Sequence, residues 1–284
     1  MKSGEIQRHG DRAVSSRRGV SREKLRARAE IWLVCGRRPR RDSPARCYAN
    51  VSQTSRSRGA GPRVGSVSRR GAAARKGEAD VNRKTVAILV FDDVEVLDLA
   101  GPFEVFAVTD ELCDYGAFNV CTVAPRADVV RARNGLRVVP DYALENCPPA
   151  EILVVPGGFG TRALLNDEAV IAWVRTRATG AEIVMSVCTG ALVLARAGLL
   201  DGLRVTTHHE VLDTLRALAP AATVDANRRY HDNGRVLTAA GISAGIDGAL
   251  HLVRRELGEA VAERTARYME YTPEDGRARQ AFIP

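Results

Sequence analysis

The sequence lacks the patterns that mark several common classes of protein. None of its six cysteines, at positions 35, 47, 113, 121, 147 and 188, belongs to a CxxC pair, and no Cys/His group has the spacing of zinc ligands. There is no apolar run of about 18 residues and no stretch with the layout of a secretory signal peptide. These absences argue against a zinc site, membrane insertion and secretion. We therefore expect a cytoplasmic protein with free thiols and no metal.

Positive charge is concentrated in the first part of the chain. The 284 residues carry a net charge of +8, but residues 1–83 hold 22 Lys and Arg against 7 Asp and Glu, a net charge of +15. Residues 84–284 carry the balance of −7. The basic segment is rich in Arg, Ser, Gly and Ala, and its apolar content cannot offset the entropy of ordering the chain. We expect residues 1–83 to form a disordered Arg-rich tail and residues 84–284 to form one domain.

Three interpretations of the tail compete. An Arg-rich, acid-poor leader is typical of an organellar transit peptide, and it is equally typical of an arm that binds nucleic acid without sequence preference. In the plainest interpretation, the tail is an extension without a selected role. The start of the protein is then mis-assigned, and the true start lies near Val81. We favour this last interpretation, and we expect no specific nucleic-acid binding.

From Lys84 onward, short β-branched runs alternate with helical stretches, which indicates βαβ units around a mostly parallel sheet. Buried strands are predicted at Val86–Phe91, Phe118–Ala124, Ile152–Pro156, Ile183–Val187 and near Arg204–Thr207. Hairpins are predicted around Asn134-Gly135 and Asn233-Gly234. Helices are predicted over Pro102–Leu112, Thr161–Thr179, Thr189–Ala197, His209–Leu218, Ala244–Leu257 and Ala260–Tyr271.

The end of the predicted strand Ile183–Val187 is the strongest candidate for a reactive site. Ligands of open α/β sheets bind at the carboxyl ends of the strands, and here Cys188 stands between a strand and a helix. Small residues two places either side, Ser186 and Gly190, allow the sharp turn of a nucleophile elbow. The helix N-terminus would favour a thiolate. A buried structural cysteine is the alternative interpretation, and the convergence of two further strand ends favours the catalytic one.

Those two strand ends supply the other candidate residues. Asp98 follows the first strand, just before a predicted helix, and its apolar neighbours would bury it and raise its pKa, whereas an ordinary helix cap is the alternative. The amides of Gly157 and Gly158 would form an oxyanion hole, or simply a tight turn. His208, after another strand, is placed in the pocket wall, with a weaker case for a catalytic base.

Five motifs together carry a family resemblance over about residues 84–273. They are LDLAGPFEV at 97–105, ENCPPAEILVVPGG at 145–158, SVCTGALVLARAGLLDG at 186–202, VTTHH at 205–209 and GRVLTAAGISAGIDGALHLV at 234–253. The chain resembles the ThiJ/PfpI family of the class I glutamine amidotransferase-like superfamily, most closely its isonitrile (isocyanide) hydratase branch. The resemblance implies a flavodoxin-like three-layer sandwich with helices on both faces, a homodimer, a small-molecule substrate and no cofactor.

The resemblance also implies roles for particular residues. Asp98 is the acid that faces the thiol of Cys188. Thr189 occupies the position that protease-like members fill with His, which argues against a peptidase, and glyoxalase-like members typically carry Glu in place of Asp98. The chain departs from the hydratase branch at His209, where that branch often has Trp, and at Ala240, where it has glycine.

The implied activity is hydration of an isonitrile to an N-formamide through a covalent thioimidate on Cys188. Two alternatives stay open at this point. Similar domains form the ligand-sensing part of AraC-type transcription regulators, which continue into a helix-turn-helix region beyond the segment corresponding to residues 275–284. The second alternative is a redox or stress-response protein in which Cys188 is reversibly oxidised.

Overall fold

Buried β-branched strands form one central sheet in the computed structural model, which describes residues 83–274. The strands are β1 Lys84–Leu89, β2 Phe118–Ala124, β3 Val130–Arg131, β4 Arg137–Val138, β5 Tyr142–Ala143, β6 Ile152–Val155, β7 Ile183–Val187, β8 Arg204–Val205, β9 Thr223–Val224, β10 Tyr230–Asp232 and β11 Val236–Ala239. The helices are α1 Val96–Leu112, α2 Thr161–Leu164, α3 Glu168–Gly180, α4 Gly190–Arg196, α5 Leu212–Leu218, α6 Ala244–Leu257 and α7 Glu259–Tyr268. The tail predicted over residues 1–83 lies outside the described residues, apart from Arg83.

The central sheet has seven strands among the described residues, in the order β10-β11-β7-β6-β1-β2-β5. Every pair is parallel except β10 with β11. One face of the sheet is covered by a group of three helices, α1, α6 and α7, which contacts β1, β2, β7 and β11. On the other face, α4 packs against β6 and β7, with α2, α3 and α5 around it. The predicted α/β architecture, a mostly parallel sheet with helices, is confirmed.

Strand register brings the chemically distinctive ends of the strands to one edge. Val86 of β1 lies beside Ile152 of β6, and Val155 at the end of β6 lies beside Ser186 of β7. Strands β6 and β7 are fully buried, as are the last four residues of β1, which explains why they read as continuous apolar runs. The turns that follow β1, β6 and β7 therefore meet at one end of the sheet.

Most predicted elements are present with shifted ends, and both predicted hairpins form. Strands β3 and β4 pair antiparallel across a 3₁₀ turn, in which Asn134 has a φ of 62°. Strands β10 and β11 pair the same way. The predicted helix over Thr161–Thr179 is two helices, because the side chain of Asp167 accepts the amides of Ala169 and Val170 and starts a new helix.

Two predictions about position were wrong. The first helix begins at Val96 and not at Pro102, so Pro102 lies inside it. The helix tolerates this proline because the residue before it, Gly101, has no Cβ to clash with the proline ring. The strand predicted near Arg204–Thr207 is only β8, and it pairs with β9 outside the central sheet. Strand β11 occupies the place beside β7.

No helix between residues 83 and 274 combines the length and the apolarity that crossing a membrane requires.

Close packing of the turn after β7 generates a stability prediction. A Cβ added at Gly190 would lie 2.0 Å from the carbonyl oxygen of Val155, whereas a Cβ at Gly180 meets nothing within 4 Å. We expect Gly190→Ala to destabilise the fold by roughly 3 kcal/mol or more through overpacking. The matched control Gly180→Ala should be neutral or stabilising by about 0.5 kcal/mol. Urea unfolding measures both, and equal stability of the two variants would contradict this account of the turn.

Candidate active site at the strand-to-helix elbow

Cys188 occupies a strained turn between β7 and α4. Its φ is +56°, a left-handed conformation that is uncommon for a residue with a side chain. The backbone is held from several directions: its amide donates to the carbonyls of Ala239 at 3.1 Å and Ala240 at 2.7 Å, and its carbonyl accepts the hydroxyl of Thr207 at 2.7 Å. The side chain is 5% exposed. The turn therefore presents the sulfur in a fixed position at the end of the sheet.

Asp98 lies in the first turn of α1, completely buried, and faces this thiol. Asp98 was predicted to stand just before the first helix. That helix begins at Val96, six residues before the predicted start at Pro102, so Asp98 lies inside it. The amide of Gly157 donates to Oδ2 at 3.0 Å, and Oδ1 is buried with no hydrogen-bond partner among the described residues. Burial raises the pKa of Asp98 to about 7, and the Gly157 amide and the Cys188 thiol only partly oppose the rise.

The thiol of Cys188 is also shifted away from ionisation. Burial, followed by the negative charge of Asp98, raises the pKa of Cys188 to about 12. The backbone amides of Thr189 and Ile242 donate toward the sulfur and oppose the rise. The expected lowering of this thiol pKa by the helix N-terminus is thus outweighed by burial.

Asp98 and Cys188 are best described as one titrating pair. An ionised carboxylate disfavours a thiolate beside it, so below about pH 7 the two groups hold two protons, and above it they hold one between them. Transfer of this proton from sulfur to oxygen moves the negative charge without adding a second one. The arrangement can therefore supply a nucleophilic thiolate and a carboxylic acid in the same step.

The amides of Gly157 and Gly158 are already engaged. Gly157 donates to Asp98, and Gly158 donates to the hydroxyl of Thr189 at 2.9 Å. That hydroxyl in turn lies 3.0 Å from the carbonyl of Gly158 and 3.1 Å from the hydroxyl of Thr161. The oxyanion hole of Gly157 and Gly158 therefore stays a prediction, and in this structure the two amides hold Asp98 and Thr189.

The donors that do face the sulfur include one that the sequence analysis missed. Ile242 has a φ of +48°, which is rare for a β-branched residue, and its amide donates toward Cys188. The small residues Ala239, Ala240 and Gly241 before helix α6 were the available signal, since they let two chain segments approach closely. Close approach of this segment requires glycine at position 241, because a Cβ there would lie 2.5 Å from the ring of His208.

Cys188 borders a cleft of about 600 Å³, a volume suited to a small molecule. His208 lies in its wall, with its ring against Gly241 and its Nδ1 accepting the amide of Glu210 at 3.4 Å. At the rim, the guanidinium of Arg162 stands 4.4 Å from the ring centre of the exposed Phe159. These rim residues had not been predicted: Phe159 lies in the turn before α2, and Arg162 lies in the first turn of that short helix.

Within residues 83–274, no group of three or more His, Cys, Asp or Glu side chains is arranged to hold a metal ion. The reactive groups that the structure gathers are therefore the thiol, the carboxyl group and the amides around them.

The charge of Asp98 generates a prediction about the reactivity of Cys188. Asp98→Asn removes the negative charge that helps raise the thiol pKa, so we expect alkylation of Cys188 by iodoacetamide at pH 8 to become about tenfold faster or more. Mass spectrometry of the Cys188 peptide measures the rate. Asp110→Asn, at the buried far end of the same helix, is the control and should leave the rate unchanged. Unchanged or slower alkylation in Asp98→Asn would contradict the coupling.

The raised pKa of Asp98 also predicts how stability varies with pH. The folded state holds this proton more tightly than the unfolded chain, so the stability it contributes is full below about pH 4 and is lost as pH rises toward 7. Compared with Asp98→Asn, wild type should lose up to about 4 kcal/mol of unfolding free energy between pH 4 and pH 8. Urea unfolding at several pH values tests this, and a constant difference between the two proteins would refute it.

Comparison with known proteins agrees with this fold. The family model described as the DJ-1/PfpI family matches residues 84–255. The isonitrile hydratase of Pseudomonas putida is 37% identical over 191 residues, which cover 66% of this chain and 78% of that protein. The HTH-type transcriptional regulator GbdR of Pseudomonas aeruginosa is 29% identical over 181 residues, covering 64% of this chain and 49% of the regulator. A crystal structure of a ThiJ/PfpI family protein from Pseudomonas syringae superposes with a TM-score of 0.62 at 30% identity, covering 71% of this chain and 84% of that one. A strained cysteine elbow, a buried facing acid and a family match over more than half of the sequence lead to one conclusion: this chain belongs to the DJ-1/PfpI family.

Proposed function

We propose that the protein hydrates a small isonitrile to an N-formamide, with Cys188 as nucleophile and Asp98 as acid and base. The observation that carries the proposal is that the buried carboxyl group of Asp98 faces the buried thiol of Cys188, which borders a cleft. An isonitrile carbon accepts both a nucleophile and a proton, so its chemistry matches a site that offers the two together. The isonitrile hydratase of Pseudomonas putida, at 37% identity, supports the same choice.

The first step adds the pair across the isonitrile carbon. The proton of Cys188 passes to Asp98, the thiolate attacks the terminal carbon, and Asp98 delivers the proton to that carbon. A carbon–sulfur bond and a carbon–hydrogen bond form, giving an S-linked thioimidate with a C=N bond and leaving Asp98 ionised. The amides of Thr189 and Ile242 stabilise the sulfur while it carries charge.

The second step adds water and releases the product. Ionised Asp98 takes a proton from water, the hydroxide oxygen bonds to the thioimidate carbon, and the proton is passed to nitrogen. The carbon–sulfur bond of this tetrahedral adduct then breaks, and the hydroxyl proton returns to Asp98. The N-formamide leaves with one water added, and the pair again holds one proton, so the steps require no cofactor.

Thr189 acts in this scheme through its two polar groups. Its amide donates toward the sulfur, whereas its hydroxyl is bonded to the backbone of Gly158 and holds the neighbouring strand end in place. A threonine cannot accept a proton as a histidine base does, which disfavours peptide hydrolysis. His208 contributes to the wall of the cleft and takes no part in the proton transfers.

A ligand-sensing role is the second candidate. A stretch of 181 residues of this chain aligns with the regulator GbdR, which is about twice as long as the matched part. In this role the cleft beside Cys188 would bind a small molecule without converting it. In a redox role, the same pair would supply the thiolate to an oxidant in place of an isonitrile.

Product formation from small aryl and alkyl isonitriles tests the proposal. We expect wild type to release the N-formamide, Cys188→Ala to lose at least about 10³-fold in rate, and Asp98→Asn to lose about 10²–10⁴-fold. Cys147→Ala, which alters a buried thiol outside the site, is the matched control and should retain activity.

Because the pair must lose one of its two protons to react, kcat/KM should rise about tenfold per pH unit up to about 7 and then level off.

Three outcomes bear on the choice between the candidates. Turnover that survives in Cys188→Ala would sink the assigned site. No turnover of any isonitrile would sink the hydratase proposal, and saturable ligand binding without turnover would then support the sensing role. A rate that does not change between pH 5 and pH 7 would contradict the role of Asp98.

A further inference from the structure

Behind the elbow lies a polar cluster that the proposed reaction does not use. Asp247, in the first turn of α6, has a side chain only 1% exposed. It accepts hydrogen bonds from Arg229 at 2.5 Å, from the hydroxyl of Tyr271 at 2.9 Å and from the amide of Glu274 at 3.0 Å. Three donors on one buried carboxylate bring the chain just before β10, the helix α6 and residues 271–274 to a single point.

Arg229 connects this cluster to the loop between β11 and α6. Its carbonyl accepts the amide of Ala240 at 2.7 Å, and its guanidinium donates to the hydroxyl of Ser243 at 3.1 Å. The two bonds bracket Gly241 and Ile242 from both sides. The loop is therefore held at its beginning by the backbone of Arg229 and at its end by the side chain.

The bracketed loop is the part of the structure that touches Cys188. The carbonyl of Ala240 accepts the amide of Cys188 at 2.7 Å, and the amide of Ile242 donates toward the sulfur. Ile242 keeps a left-handed backbone at a β-branched residue, which persists only where its surroundings impose it. The bonds of Arg229 supply such a constraint on both sides of Ile242.

We propose that Arg229 and Asp247 are positioning residues that, through Ser243 and Ala240, hold the amide of Ile242 against the sulfur of Cys188. A buried ion pair contributes little net stability compared with apolar packing, so its geometry is the better explanation for the cluster. The inference rests on the proposed function only in taking Cys188 as the reacting group. Arg229 and Asp247 act through the loop and do not touch the substrate.

The test measures Cys188 chemistry in two folded variants of the full chain. Ser243→Ala removes the acceptor of the Arg229 side chain and leaves the ion pair intact. Arg229→Lys keeps the charge but cannot donate to Asp247 and Ser243 with one planar group. The matched control is Arg255→Lys, which changes an arginine of α6 that is paired with Asp232 at 3.0 Å and lies away from the loop. Circular dichroism and thermal unfolding establish that each variant is folded.

The expected result is a loss of thiolate stabilisation without a loss of binding. Removing one hydrogen bond to a charged sulfur should slow iodoacetamide alkylation of Cys188 about tenfold at every pH, with the rate profile displaced upward by about one pH unit. The kcat for isonitrile hydration should fall by a similar factor while KM stays within about twofold. Arg255→Lys should match wild type in all of these measurements.

A Ser243→Ala protein that is folded and alkylated with the wild-type pH profile would overturn the proposal, and this variant decides alone if Arg229→Lys does not fold. Failure of the hydratase proposal would be seen separately, because wild type would then convert no isonitrile while the alkylation measurements still report on positioning. A slowed profile in both variants with an unchanged control supports the inference in either case.

Discussion

Two buried acidic groups that do not both ionise are the constraint around which this site is organised. Neither Asp98 nor Cys188 ionises easily where it lies, since burial raises the pKa of both, and each disfavours the charge of the other. One negative charge is nevertheless tolerated, because the Gly157 amide serves the carboxylate and the amides of Thr189 and Ile242 serve the sulfur. The surrounding backbone can accept that charge in either of two positions, which is the basis of the reactivity proposed for the thiol.

The polar contacts around the pair follow from this constraint. Thr189 and Gly158 bond to each other, which leaves the strand end after β6 fixed and its Gly157 amide aimed at Asp98. On the opposite side, the loop after β11 must approach the elbow closely enough for Ala240 to accept the amide of Cys188. Strained backbone at Cys188 and Ile242 is the consequence of bringing these segments together, and strain of this kind collects where function requires a fixed geometry.

Much of this was predictable from local signals in the sequence. Continuous β-branched runs identified β1, β2, β6 and β7, and Asn-Gly pairs identified both hairpins, because these depend on burial on two faces and on turn chemistry within a few residues. Cys188 was found from the small residues beside it, and Asp98 from its apolar neighbours. The start of α1 was missed, since a proline is usually a first-turn residue and here lies deeper in the helix. Ile242 was missed because the small residues before it indicate close packing but do not show which segment packs there, in this case a cysteine more than fifty residues earlier.

The sequence by itself therefore determined the class of fold, the positions of its main buried strands along the chain and the two residues proposed for the centre of the site. The tertiary structure decided how those residues behave. It showed that burial outweighs the helix terminus in raising the pKa of Cys188, that the Gly157 and Gly158 amides are occupied, and that Ile242 supplies a donor in their place. The physical reason is that hydrophobic periodicity and turn chemistry are local along the chain, whereas desolvation, hydrogen-bond pairing and electrostatic coupling depend on which distant segments share the same few ångströms of space.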